Sequence, residues 1–232
     1  MKTLGIIGGM SPESTITYYQ QINRLVNQKL GGNHSAPLLM VSVEFERIVQ
    51  CQKSGDWQKA GEILAQAGQK LEQMGADAVL LATNTMHKVA PQIMEQINVP
   101  FLHILDATAN VIKTKGLYKI AVLGTAFTMQ DEFYRNGLTQ RGIEMLVPNA
   151  KNQQEIHRII FAELCVGNIL PTSKQFYLQT IAELAQQGAE GVILGCTEIG
   201  LLVQQNDTVL TLFDTAQLHS EMAVGFILGD EL

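Results

Sequence analysis

The chain has 232 residues, 46% of them apolar and 16% charged, with 16 basic side chains against 22 acidic ones and a formal net charge of −6. That apolar share builds a core and that sparse charge excludes a disordered tail, while the acidic balance leaves no basic footprint for nucleic acid. Apolar runs are short, as in Ala78-Val79-Leu80-Leu81-Ala82, far below the ~20 residues of a membrane span. The opening, Met1-Lys2-Thr3-Leu4-Gly5-Ile6-Ile7-Gly8, gives way to Glu13 without a small-residue cleavage site, so it reads as a strand and not a signal peptide. Cys51, Cys165 and Cys196 are too few for a disulfide framework and suit a reducing compartment. The expectation is a soluble, acidic, cytoplasmic protein of one large domain or two small ones.

Taken in chain order, residues 4–7 form the first strand-like run. Pro12 opens a helix that stops near Gly31-Gly32, proline being suited to a first helical turn and glycine to a stop. Residues 38–43 are the second strand. Asp56 is a good N-cap for a helix with Ile63, Leu64, Ala67 and Leu71 on one face, ending before Gly75. Further strands are read at 79–81, 120–123 and 192–194. Between the last two, a helical pattern runs through Ile156, Ile159, Ile160 and Leu164, and a second covers about 173–187 before Gly188. The stretch 214–228 is apolar with a helical period and needs a surface to pack on, the first half being the natural one. Strands alternating with helices argue for an α/β fold whose parallel sheets are covered on both faces.

The chain repeats itself. Gly75-Ala76-Asp77-Ala78-Val79-Leu80-Leu81-Ala82-Thr83-Asn84-Thr85 aligns without gaps on Gly188-Ala189-Glu190-Gly191-Val192-Ile193-Leu194-Gly195-Cys196-Thr197-Glu198, an offset of 113. Leu4-Gly5-Ile6-Ile7-Gly8-Gly9 matches Ala121-Val122-Leu123-Gly124-Thr125 more weakly, with Gly8 and Gly124 separated by 116. The sequence therefore divides into an N-terminal α/β half, 1–98, completed by 208–232, and a C-terminal half, 99–207. Ligands of open parallel sheets bind beyond the carboxyl ends of the strands. Gly8-Gly9-Met10-Ser11, Thr83-Asn84-Thr85, Gly124-Thr125 with Thr128, and Cys196-Thr197-Glu198 mark four such ends. If the halves face each other, these loops line one cleft, and Thr83 and Cys196 approach a ligand from opposite sides.

Gly5-x-x-Gly8-Gly9 lacks the dinucleotide spacing and no Gly-Lys-Ser/Thr follows, so it reads as a tight turn that lets backbone approach closely. His34, His87, His103, His157 and His219 show no ligand spacing, and no metal site is expected. Gly-x-Ser-x-Gly is absent. Cys165 lies in an apolar helical pattern and reads as core, and Cys51 lies in a polar stretch and reads as incidental. Cys196 follows a buried strand and a glycine, where backbone N–H groups at a loop or helix start stabilise a thiolate. His87, three residues beyond Asn84, either orients a loop or titrates near neutrality. Arg47 and Gln52 follow the second strand, on a solvated loop or in a binding role.

Gly8-Gly9-Met10-Ser11-Pro12, Thr83-Asn84-Thr85-Met86-His87-Lys88 and Gly195-Cys196-Thr197-Glu198-Ile199 together resemble the aspartate/glutamate racemase family, in order and over nearly the whole chain. The resemblance implies two pseudo-symmetric, Rossmann-like α/β domains with the active site in the cleft between them. It also implies a small amino-acid substrate, frequent homodimers, and racemisation without pyridoxal phosphate or any other cofactor. The family's two catalytic cysteines, one per domain, fall on Thr83 and Cys196. Thr83 departs from that pattern, and the sequence is most similar to the bacterial L-aspartate/glutamate-specific branch, which has Thr there. Carried over in the same way, Asn84, Thr85 and Thr197 are candidate carboxylate donors, while Met10, Ser11, Gln52, Thr125, Thr128 and Glu198 are candidates to hold the rest of the substrate. Arg47 is the best of a weak field for a side-chain carboxylate.

Racemisation removes the Cα proton on one face and returns one on the other, which needs an acid and a base opposite each other and donors for the developing charge. An ionised Cys196 suits the task. Thr83 is a poor base, because its hydroxyl is far less acidic than a thiol and needs a neighbouring base or an ordered water. Losing one general acid/base costs ~10²–10⁴-fold, so slow turnover with unequal rates in the two directions is expected. Two other readings keep the fold: a relative acting on another small acid, like a hydantoin racemase or a maleate isomerase, or a non-catalytic dicarboxylate-binding module. The former relatives generally use two cysteines, which Thr83 does not favour. The latter would keep its affinity in Cys196→Ser.

Overall fold

The computed structural model describes residues 1–230. They divide into two compact units, Met1–Ile104 together with the segment from Ala216 onward, and Leu105–Thr215.

In the first unit, β1 (Leu4–Gly8), α1 (Pro12–Leu30), β2 (Leu38–Ser42), α2 (Phe45–Ser54), α3 (Trp57–Gln73), β3 (Ala78–Leu81), α4 (Ala90–Met94) and β4 (Phe101–Leu102) build a parallel sheet ordered β2-β1-β3-β4. β1 is central: Leu4 lies opposite both Leu38 and Ala78, and Gly8 opposite Ser42. Alternate side chains go to alternate faces. Ile7, Val79 and Leu81 pack with Leu64, Leu71 and Ile93 of the α3–α4 layer. Leu4, Ile6, Leu80 and Ala82 pack with Tyr18, Ile22 and Val26 of α1 and with Ala223, Val224 and Ile227. The last three belong to α11 (Thr215–Leu228), whose apolar face thereby finds its partner. Each fully buried Leu, Ile or Val contributes about 1.5–3 kcal/mol. Ser11 caps α1, its hydroxyl accepting the Ser14 N–H at 3.2 Å, with Pro12 in the first turn. Asp56 caps α3 by accepting the Lys59 N–H at 3.0 Å.

From Ile104 the chain enters α5 (Ile104–Thr114), then β5 (Lys119–Gly124), α6 (Ala126–Gln130), α7 (Glu132–Gln140), β6 (Glu144–Leu146), α8 (Ala150–Ala162), α9 (Pro171–Gln186), β7 (Gly191–Gly195), α10 (Ile199–Leu202) and β8 (Thr211–Asp214). The second sheet has the order β6-β5-β7-β8, again parallel. It repeats the first, β5 standing where β1 does and β7 where β3 does. The repeat extends to single hydrogen bonds. The Asp77 carboxylate accepts the Thr3 N–H at 2.6 Å, and its counterpart Glu190 accepts the N–H groups of Tyr118 and Lys119 at 2.6 and 2.8 Å. Each acid, at the entry to one central strand, pins the start of the other. One face of this sheet packs Ala121, Leu123, Val192 and Leu194 against Ile156, Ile160, Tyr177 and Ile181 of α8 and α9.

The α/β class holds, with parallel sheets throughout. The five strands expected from sequence are all present, and β4, β6 and β8 are added to them. β8 pairs with β7 in the second sheet. Residues 45–54, read as a possible loop, form α2, so Arg47 and Gln52 ride on a helix. Cys51 is buried on its apolar face, not incidental to the core. Cys165 lies in a 3-10 turn, Leu164–Val166, partly exposed but packed against the core of its unit. Among the described residues no helix is long and apolar enough to cross a membrane.

Candidate active site

At the carboxyl edge of the first sheet, β1 and β3 end side by side, and their loops are tied together. The Gly9 N–H donates to the Thr15 hydroxyl at 2.8 Å, and that hydroxyl donates to the Ser11 carbonyl at 2.8 Å. The Ser14 hydroxyl reaches across to the Ala82 carbonyl at 3.3 Å. Both glycines are needed. Gly9 has φ +94°, and a Cβ there would lie 2.3 Å from the Val43 carbonyl oxygen, while one on Gly8 would meet the Thr15 methyl at 2.5 Å. The Gly-Gly turn thus lets α1 and the β2–α2 connection close on the end of β1. Met10, Ser11, Thr83, Asn84 and Thr85 are all buried around this edge. Gln52 joins them from α2, donating to the Met86 sulfur at 3.0 Å. Arg47 instead lines a hollow at the β2 edge with Val43, Glu44 and Lys70, to which the Thr83–Thr85 loop contributes nothing.

Thr83 is held through its backbone on both sides. Its N–H donates to the Leu81 carbonyl at 2.9 Å, and its carbonyl accepts from His87 Nδ1 at 2.7 Å. His87 is buried in the 3-10 turn Thr85–Val89.

In the second unit the equivalent edge is formed by β5 and β7, with Gly124 opposite Gly195. Thr128 fills the space above both, since a Cβ on either glycine would touch it at 3.0 Å. Thr128 is fully buried and its hydroxyl lies 3.3 Å from that of Thr125. It therefore backs Thr125, which caps α6. The Ala126 N–H beside it donates to His157 Nδ1 at 3.1 Å.

Cys196 follows β7. Its thiol donates to Glu198 Oε2 at 2.9 Å, and the Thr197 hydroxyl donates to the same oxygen at 2.8 Å. The thiolate expected from sequence is not what this setting favours. Burial first, and then the Glu198 charge, push the Cys196 thiol well above its ordinary value, and the Glu198 backbone N–H that reaches the sulfur only partly opposes them. A carboxylate two residues away outweighs one amide dipole. Glu198, expected as a substrate contact, is the direct partner of Cys196; the motif names it, and the spacing alone does not reveal its direction. Among the described residues no group of three His, Cys, Asp or Glu side chains is arranged to hold a metal ion.

Two α/β units related by repeat, each presenting small polar residues at the ends of its two central strands, define a fold shared with the racemases. The family model for Asp/Glu/hydantoin racemases matches residues 7–223, and the chain belongs to that family. Among solved structures it is similar to a candidate Asp/Glu racemase from Yersinia pestis, with 47% identity and a TM-score of 0.93 over 98% of this chain and 100% of that one. An aspartate racemase homologue from Pyrococcus horikoshii OT3 is 35% identical, with a TM-score of 0.88 over 98% of this chain and 100% of that one. The broad specificity amino-acid racemase RacX of Bacillus subtilis (strain 168) is 25% identical over 97% of this chain and 98% of its own length.

Proposed function

We propose that the protein racemises aspartate or glutamate without a cofactor, Cys196 and Thr83 acting on opposite faces of one Cα. The observation that carries this reading is the thiol–carboxylate pair of Cys196 and Glu198 at the end of β7. It supplies a proton donor in its resting form and a route to the base. As sulfur takes the Cα proton, the thiol proton passes to Glu198. The opposite face then receives a proton from the Thr83 hydroxyl or from a water that it holds. The donors of Asn84, Thr85 and Thr197 bear the charge that develops on the substrate carboxylate. Met10, Ser11, Gln52 and Thr125, backed by Thr128, hold the remainder. No lysine stands in the four strand-end loops to form a Schiff base. Lys88, just beyond them, has its ammonium 4.2 Å from the centre of the Trp57 ring. The homodimer that the family resemblance implies belongs to the same proposal and is checked by sedimentation.

Enantiomers have equal free energy in water, so kcat/KM must be equal in the two directions. The inequality of Cys196 and Thr83 therefore shows in kcat and in solvent exchange. The test is Cα exchange in deuterated buffer, followed by NMR on L- and D-aspartate and L- and D-glutamate, with Cys196→Ala beside wild type. Exchange that falls about 10²–10⁴-fold in the variant for the enantiomer deprotonated from the Cys196 side, while the other enantiomer keeps what exchange Thr83 supports, favours the reading. No exchange with any of the four amino acids overturns it.

A further inference from the structure

Behind the Thr83 loop lie two buried histidines, His87 and His219, and a half-buried third, His103, that the proposed chemistry does not use. His87 Nδ1 is 2.7 Å from the Thr83 carbonyl, which can only accept, and His87 Nε2 is 3.2 Å from the Ile104 N–H, which can only donate. These two partners fix the ring as the neutral Nδ1–H tautomer. His219, fully buried on α11, is fixed in the opposite sense. Its Nε2 donates to the Leu102 carbonyl at 2.8 Å and its Nδ1 accepts from the Tyr18 hydroxyl at 3.0 Å. The two rings are 5.8 Å apart, and His103 lies 4.6 Å from His87. Segment 101–104 is thus held from both sides, by His219 at Leu102 and by His87 at Ile104. With its far nitrogen anchored there, His87 holds the Thr83 carbonyl rigidly, while Leu81 holds the Thr83 N–H. Two fixed peptide groups set the direction in which the Thr83 side chain leaves the backbone.

We propose that His87 is a positioning residue for Thr83. Its Nδ1–H fixes the Thr83 carbonyl and so aims the Thr83 hydroxyl at the substrate, with His219, Tyr18 and the 102–104 backbone as its support. The inference rests on the racemase reading above. A misplacement of about 1 Å costs on the order of 10²-fold in rate, so the effect should be large and confined to one face.

The experiment first assigns the faces: the enantiomer whose Cα exchange survives in Cys196→Ala exchanges from the Thr83 side. His87→Leu is then expected to lower exchange from the Thr83 side, and racemisation with it, by on the order of 10–10²-fold, leaving exchange from the Cys196 side and KM unchanged. His87→Asn keeps a donor near the Nδ1 position and should restore most of the loss. Equal loss on both sides, or no rescue by Asn, overturns the proposal. Should His87→Leu fail to fold, His87→Asn decides by its own face ratio, expected to match wild type. Independently of activity, imidazole nitrogen shifts of the wild type should show His87 protonated at Nδ1; an Nε2–H form overturns the proposal. A wild type that exchanges none of the four amino acids removes the underlying reading, and the proposal with it, before any His87 variant is measured.

Discussion

Cys196 gives its thiol hydrogen to Glu198 at 2.9 Å, and Thr197 gives its hydroxyl hydrogen to the same carboxylate oxygen at 2.8 Å. Two consecutive side chains therefore converge on one carboxylate oxygen of the third at the end of a central strand. With the thiol pushed well above its ordinary value by burial and by this carboxylate, sulfur keeps its hydrogen at neutral pH and gives it to Glu198 as a hydrogen bond. Such a pair is built as an acid at rest. In the proposed reaction it becomes a base when the proton passes to the carboxylate oxygen, 2.9 Å from the sulfur, which avoids holding a bare thiolate where burial disfavours it.

Glu198→Gln separates the two effects of that carboxylate. Removing the charge relieves the second-largest cause of the upward shift, so the Cys196 thiol should ionise at lower pH than in wild type. An amide accepts no proton, so racemisation should nonetheless fall by ~10²–10⁴-fold. Thiolate absorbance in the ultraviolet, taken as the difference from Cys196→Ala across a pH series, reads the first effect, and the racemisation assay reads the second. A lower thiol pKa accompanied by faster turnover would show that the carboxylate is not the proton acceptor.

Thr83 is the weaker member of the proposed pair, and the structure gives its hydroxyl no side-chain base among the described residues. Thr83→Cys places a thiol at the position that the repeat makes the counterpart of Cys196. Racemisation should rise by about 10²-fold if the hydroxyl limits turnover. Thr83→Ala should remove exchange from that face while sparing the other. An unchanged rate in Thr83→Cys would mean that proton transfer at Thr83 is not limiting.

Four of the strands that the sequence reveals, β1, β3, β5 and β7, are buried on both faces, where near-continuous apolar residues leave little ambiguity; the fifth, β2, is an edge strand that its unbroken Leu38–Val41 apolar run still marks. β4, β6 and β8 escape because they are short sheet-edge strands. Phe101–Leu102 is two residues long, Glu144–Leu146 begins with an exposed glutamate, and Thr211–Asp214 mixes polar with apolar residues. α2 is hidden because only Ile48 and Cys51 of its ten residues are buried, too few to print a clear helical period. At the site, the loops are legible through the repeat, which locates Thr83 and Cys196 as counterparts. The state of Cys196 is not, because whether a neighbouring amide or a neighbouring carboxylate dominates depends on side-chain direction. His87 gives only its proximity to Asn84, since its partners Thr83 and Ile104 lie 4 and 17 residues away.

The Gly8-Gly9 turn is tested by Gly9→Ala with Gly31→Ala as its control. Both glycines have positive φ, at +94° and +74°. Only the first also faces a collision, since a Cβ added there would stand 2.3 Å from the Val43 carbonyl oxygen, whereas one on Gly31 would have nothing within 4 Å. The backbone conformation alone costs ~1–3 kcal/mol, and a chain of this size loses about 2–4 °C of Tm per kcal/mol. Gly31→Ala should show that loss by itself. Gly9→Ala should lose clearly more and should also raise KM, because Met10 and Ser11 follow directly. Equal Tm values for the two variants would mean that the close approach at Gly9 relaxes without cost.

The last prediction concerns acid stability through the repeat pair Asp77 and Glu190. Glu190 is held below the usual carboxylate range, first by the Lys119 N–H and then by that of Tyr118. Its folded pKa therefore lies below its unfolded value, about 4.3. Such a group contributes stability that is fully present above the unfolded value and is lost as pH falls through the folded one. Glu190→Gln keeps an acceptor but no charge, so urea unfolding should show it less stable than wild type near neutrality. The difference should shrink as the pH is lowered below about 4.3, because wild type loses there what the variant never had. No gap near neutrality would mean that the two backbone donors hold the glutamine as well as they hold the carboxylate, and a gap that stays constant into acid would mean that the loss does not come from the carboxylate's charge.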